Sequence, residues 1–247
     1  MAQQAEAERR PPLSRDRVLR AAVALADDIG IEALSMRSLA KDLGVVPMAL
    51  YKHVSNKEQL LDGMVDVVMG EIDPPAPGSN WKSAVRHRIL SARRAFLGHP
   101  WAARVLQSRS SPTPVVLTYM DSVIGMFRNG GFSIDLTHHV MHALGSRMMG
   151  ITQELFDAPP GPGPGPGPRA QTAPSQRDAG EYPYVMELAG AVVHDTESVA
   201  GQGCDDQFEF EFALDLLLDG FERLQQQGWS SVGHRRSKTH DFGNADY

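Results

Sequence analysis

Gly44 and Pro47 stand three residues apart between two apolar-periodic runs, in SMRSLAKDLGVVPMALYKHV, Ser35 to Val54. A glycine ends a helix readily because it reaches the left-handed backbone conformation at no steric cost. A proline fits the first position of the next helix, where its missing N–H is no loss. Together they commit the chain to two short helices joined by a tight turn. Each helix can bury one face only, Leu39 and Leu43 on the first and Leu50 and Val54 on the second. Met48, Tyr51 and Lys52 then project from the second helix on the opposite side, with Pro47 at its tip. Such a set suits a DNA groove: methyl groups for thymine, a phenol hydroxyl for phosphate, a lysine for guanine or phosphate. By spacing alone it equally describes a surface helix with a local excess of base.

The flanking sequence reads helical throughout. Ser14 precedes a long run (Val18, Leu19, Ala22, Val23, Ala26, Ile29) that Gly30 closes, and Ser35 can cap the next helix. Ser55-Asn56-Lys57-Glu58 fits a capping box at the start of a fourth helix that runs to about Glu71. Asp73 to Asn80, DPPAPGSN, is a break. The expected organisation is a flexible tail (1–13), a helix-turn-helix head of three or four helices (14–72) and a larger helical body (81–228). A final flexible tail covers 229–247. In the body, helices are expected over Trp81–Leu97, Trp101–Gln107, Thr113–Arg128, Ser133 to about Phe156, Tyr184–Ala200 and Asp205–Gln227. A Gly-Pro alternation of period two occupies 158–180, which is not the three-residue glycine repeat of collagen and is expected to be a disordered loop. The fold class expected is all-α.

Charge is shared unevenly. Residues 1–57 carry nine Lys/Arg and seven Asp/Glu, whereas the whole chain has a net charge of −6. A basic head on an acidic body points to an anionic partner for the head. The one cysteine, Cys204, leaves no internal disulfide and suits a reducing compartment. No apolar run is long enough to span a bilayer, and Met1 to Arg10 lacks the apolar segment of a secretory leader. A cytoplasmic protein without a membrane partner is expected.

Enzyme signatures are sparse. His138 and His142 in THHVMHALG have the i, i+4 spacing of metal ligands on a helix, yet no glutamate stands between them as in His-Glu-x-x-His. Neither a Gly-x-Ser-x-Gly elbow nor a phosphate-binding Gly-Lys-Ser/Thr loop occurs. No catalytic residue, metal site or cofactor is assigned. The rival classes are a helical metal-dependent enzyme and a helical ligand-binding protein that does not touch DNA, which would leave the basic head without a purpose.

The stretch RVLRAAVALADDIGIEALSMRSLAKDLGVVPMALYKHVSNKEQLLDGMVD resembles the DNA-binding domain of the TetR family of bacterial repressors. The likeness rests on Gly30-Ile31-Glu32-Ala33-Leu34, Met36-Arg37-Ser38-Leu39-Ala40, Leu43-Gly44-Val45 and Leu50-Tyr51-x-His53-Val54-x-Asn56-Lys57. It implies a transcription repressor that binds palindromic double-stranded operator DNA and is released by a small-molecule effector. Carried over by position, Ser35, Met36 and Arg37 open the supporting helix at the DNA. Pro47, Met48, Ala49, Tyr51, Lys52 and His53 fall on the recognition-helix contacts and Lys57 on a phosphate clamp.

The body is similar, more loosely, to the tetracycline-repressor branch, through Trp81, Gly131-Phe132-Ser133 and the late Phe-rich helix. The resemblance places His87, Trp101, Leu106, Met126, His142, Arg147, Met149 and Glu154 on helices around an effector cavity. Leu106 stands where tetracycline repressors hold their metal-binding histidine and Asp73 where another pocket histidine lies, which argues against tetracycline itself. The last helix carries two apolar stripes, Phe208, Phe212 and Leu216 on one side and Phe210, Leu214, Leu217, Phe221 and Leu224 on another. A helix apolar on two sides is buried twice. One stripe is assigned to the core and the other, Phe208, Phe212 and Leu216, to a homodimer interface.

Overall fold

The computed structural model describes residues 12–75, 78–150, 182–184, 187 and 206–233, and every regular element among them is a helix. In chain order these are α1 (Arg15–Ile29), α2 (Met36–Leu43), α3 (Pro47–Leu50), α4 (Lys57–Met69), α5 (Trp81–Gly98), α6 (Ala102–Ser108), α7 (Pro114–Asn129), α8 (Ile134–Met149) and α9 (Asp206–Gln226). The chain forms two compact units, one of residues 149–220 and one of the remainder.

Local chemistry sets the helix ends in the first 75 residues. The Ser14 hydroxyl accepts from the Arg17 N–H, and Ser35 and Ser38 cap each other reciprocally at the start of α2. Caps of this kind are each worth about 1 kcal/mol. Gly30 (φ 83°) and Gly44 (φ 66°) stop α1 and α2 in backbone conformations that an L side chain strains to adopt. Pro47 opens α3 at its first turn. The cap of α4 differs from expectation by one residue. Asn56, not Ser55, is the N-cap and accepts from the Gln59 N–H at 2.8 Å, while Gln59 Oε1 accepts from the Ser55 N–H.

Val18, Leu19, Ala22, Val23 and Ala26 of α1 pack with Leu39 and Leu43 of α2, Leu50 of α3, and Leu60, Met64 and Val68 of α4. The same buried cluster continues through Ala92 and Ala95 of α5 into Trp101, Val105 and Val116. At the crossing of α1 and α4, Gly63 lies so close to Leu19 that a Cβ would come within 2.6 Å of its side chain.

A second, aromatic cluster holds α5, α7 and the loop before α8. The Trp81 ring meets Phe132 edge-on at 4.7 Å and Phe127 at 5.7 Å, and Phe127 meets Phe221 at 6.3 Å. Gly130 leaves room for that indole, since a Cβ there would sit 2.6 Å from Trp81 Cγ. Residues 229–233, which the sequence suggests as the start of a tail, are tied to α8. Trp229 packs edge-on against His139, and the Ser231 N–H and hydroxyl both donate to Asp135.

Along α9 the two stripes separate as expected. Phe210, Leu214, Leu218 and Phe221 are buried, while Phe208, Phe212 and Leu216 stay 62%, 55% and 57% exposed. The buried stripe takes Leu218 where Leu217 was expected, because 210, 214, 218 and 221 keep an unbroken i+4, i+4, i+3 spacing along one face. Glu154, the 158–180 loop, most of the helix expected over 184–200 and the outer parts of both tails (1–11 and 234–247) lie outside the described residues.

Candidate nucleic-acid interface

The two short helices present the surface that the turn between them demands. Leu50 and Val54 are fully buried and anchor α3, while Met48 is 72% and Tyr51 44% exposed. Pro47 and Lys52 are exposed beside them, and Ala49 and His53 are half-buried. On α2, Arg37 is exposed, whereas Met36 is half-buried and packs on the core, so little of its side chain is free. The Ser35 hydroxyl serves the α2 cap, accepting from the Ser38 N–H and meeting the Ser38 hydroxyl at 2.9 Å, and the residue stays exposed.

Arg37, Lys52 and Lys57 have no ion-pair partner among the described residues. Lys57 is the first residue of α4, where the helix dipole is positive and a cation is disfavoured. An anion at that helix end would offset the repulsion, and the Asn56 side chain already takes up the Gln59 N–H of the first turn. Val46, 67% exposed just before Pro47, is an apolar side chain on this surface that the sequence reading passed over. Its signal was available: as the residue before a proline it is held extended and outside the helix.

Polar ties connect this head to α5–α7. Arg109, after α6, pairs with Glu58 and Asp62 of α4, the latter at 2.8 Å, and the Thr113 hydroxyl donates to Asp66. Arg104 pairs with Glu32. Arg88 is buried and donates to the carbonyls of Ile72 and Asp73 just past α4, with its guanidinium 4.9 Å from the Tyr119 ring centre. Burial pushes the Tyr119 phenol up to about 12, against the opposing charge of Arg88. Asp73 receives Ser91 and Arg94, and His87 lies 3.9 Å away.

The residues expected around an effector fall in varied surroundings. Trp101 and Leu106 belong to the cluster shared with the head, and the Trp101 indole N–H donates to Asp27 of α1 at 2.6 Å. Met126 is buried on α7. His87 and His142 are exposed, and Arg147 and Met149 are half-buried. His142 faces His138 edge-on at 4.6 Å, and no group of three His, Cys, Asp or Glu side chains among the described residues could hold a metal. No described helix is long and apolar enough to cross a membrane.

Residues 18–64 match the family model described as bacterial regulatory proteins, tetR family, and residues 74–224 match the tetracyclin repressor-like C-terminal domain. The chain belongs to the TetR family. It is 30% identical over 227 residues to the HTH-type transcriptional repressor DrrR1 of Streptomyces coeruleorubidus, which covers 88% of this chain and 80% of that one. The class C tetracycline repressor protein of Escherichia coli is 32% identical over 216 residues, 86% of this chain and 92% of its own. Among solved structures, the TetR family protein ActR of Streptomyces coelicolor, in complex with actinorhodin, matches with a TM-score of 0.61 and 26% identity. It covers 86% of this chain and 98% of its own. This TetR-family protein is thus a DNA-binding transcriptional repressor that answers to a small-molecule effector. The α2–turn–α3 unit is its helix-turn-helix.

Proposed function

We propose that the protein acts as a homodimer in the cytoplasm, without catalytic chemistry of its own. It binds an inverted-repeat operator through Arg37, Pro47, Met48, Ala49, Tyr51, Lys52, His53 and Lys57, with Ser35 and Met36 at the edge of that surface. The observation that carries the reading is the exposed stripe on α9. Phe208 and Phe212 stack at 6.4 Å and, with Leu216 one turn on, remain more than half exposed, while the same helix buries Phe210, Leu214 and Leu218. A contiguous apolar face on a helix already packed on its other side calls for a partner. A second copy supplies an identical face, and two-fold symmetry matches two identical heads to two half-sites about 34–36 Å apart or a multiple of it.

The effector is a small molecule bound within the body, 81–228, with Arg147 and Glu154 as the first polar anchors to test. Leu106 and Asp73 in place of histidines favour a ligand held without the metal chelate of the tetracycline repressors.

Phe212→Glu tests the dimer. An unpaired charge in a buried apolar face is strongly unfavourable, so the folded variant is expected to sediment as a monomer and to lose the inverted-repeat footprint. A folded Phe212→Glu protein that remains a dimer places the interface elsewhere.

A further inference from the structure

His99 lies between α5 and α6 and touches the head at the end of α1 and just past α4. Its Nδ1 is 2.9 Å from each carboxylate oxygen of Asp27 near the end of α1, and its Nε2 is 3.1 Å from Glu71 Oε2 just past α4. Only 13% of the side chain is exposed. We propose that His99 is a positioning residue that couples body to head as an imidazolium, clasping α1 and α4 together against α6 and releasing α4 when it loses its proton. The proposal deepens the effector-release reading, for it names the contact through which α4 is held or freed.

The chemistry follows from counting protons. A neutral imidazole has one N–H and one lone pair, so it donates to one carboxylate and turns a lone pair on the other. Both contacts are favourable together only when both nitrogens carry hydrogen. Asp27 is also held by Trp101, whose indole N–H donates to Oδ1 from a ring 6.1 Å from that of His99. Glu71 has no such second donor among the described residues and is 48% exposed. On deprotonation the imidazole therefore keeps Asp27 and gives up Glu71, and the end of α4 loosens.

The groups facing His99 are Asp27 from α1, Glu71 after α4 and the uncharged Trp101 indole at α6. Arg20 of α1 acts electrostatically on Glu71, and the Arg104–Glu32 pair lies a turn further along α6. Burial by itself lowers the His99 pKa. Hydrogen bonds to Asp27 and Glu71, with their charges, outweigh it and raise the pKa above the ordinary imidazole value. Because the folded-state pKa is the raised one, the clasp is complete below the unfolded-state value of about 6.5. It is lost as pH rises through the folded-state value.

The test uses the full-length protein and a duplex selected by it from a random pool. Side-chain NMR of His99 is expected to show a midpoint above about 6.5, with the Trp101 indole proton shifting at the same midpoint. The Gly70 and Glu71 amides, bonded to Asp66 and Val68 carbonyls, are expected to exchange faster above it. Glu71→Gln, an exposed change that spares the fold, is expected to lower the midpoint and to leave the His99–Asp27 contact intact. Wild-type affinity for the selected duplex is expected to weaken about fivefold from pH 6 to pH 8.5, the worth of one hydrogen bond. Glu71→Gln and His99→Gln flatten that dependence. His53→Gln separates any titration at the DNA surface itself, and the NMR midpoint stands even if dimer and operator behave otherwise. A His99 midpoint at or below about 6.5, or an unchanged pH profile in both variants, overturns the proposal.

Discussion

Gly63→Ala probes the crossing on which the reading head is mounted. The added Cβ meets Leu19 Cδ2 at 2.6 Å and Cδ1 at 2.9 Å, with the flexible end of Arg15 at 3.3 Å. Arg15 can swing away, but Leu19 is 4% exposed and packed on all sides. Overpacking of that kind costs about 1–3 kcal/mol, whereas replacing a mid-helix glycine with alanine returns about 1 kcal/mol. The net expectation is a loss of about 0–2 kcal/mol. Gly125→Ala on α7 is the control, for a Cβ there meets nothing within 4 Å, and the full gain of about 1 kcal/mol is expected. Urea unfolding at fixed protein concentration measures both, the concentration being held because association shifts apparent stability. Leu19→Ala alone should cost about 2–5 kcal/mol. Combined with Gly63→Ala it should cost at least about 1 kcal/mol less than the sum, since the new methyl enters the vacated space. If Gly63→Ala proves as stable as Gly125→Ala and the pair with Leu19→Ala is additive, the crossing is not as tight as the geometry states.

Lys57→Ala is expected to weaken binding to all DNA sequences about equally and to lower the salt slope by roughly 1, as for one lost phosphate contact. Met48→Ala should instead relax preference at one or two base positions, which selection from a random pool reads directly; identical behaviour of the two variants refutes the division between them. Asn56→Ala removes the side-chain acceptor for the Gln59 N–H and should cost about 1 kcal/mol in urea unfolding. Ser55→Ala should cost far less, because only its backbone N–H takes part in the cap.

The helical class, the short-helix pair and most helix ends were legible in the order of residues. Ser14, Ser35, Gly30, Gly44 and Pro47 act within one turn of themselves, so their effect on the backbone does not depend on what packs nearby. The exposed and buried stripes of α9 were legible for the same reason, since periodicity along one helix is a local property. The exposed character of Met48 and Tyr51 followed once Leu50 and Val54 had been assigned to the core. A choice between equivalent local partners was harder: Ser55 and Asn56 both cap well, and the structure takes the one whose backbone is extended where α4 begins.

What the tertiary structure alone decided is where distant segments meet. Gly63 reads as a poor helix residue until α1 lies across it, and the gap it leaves is shaped by Leu19, far off along the chain. Trp101 reads as a ring for an effector, but its N–H is spent on Asp27 and its body on the core that joins head and body. The clasp of His99 on Asp27 and Glu71 spans 72 and 28 residues. No period or cap links such positions, because each contact gains its energy only after the intervening chain has been ordered.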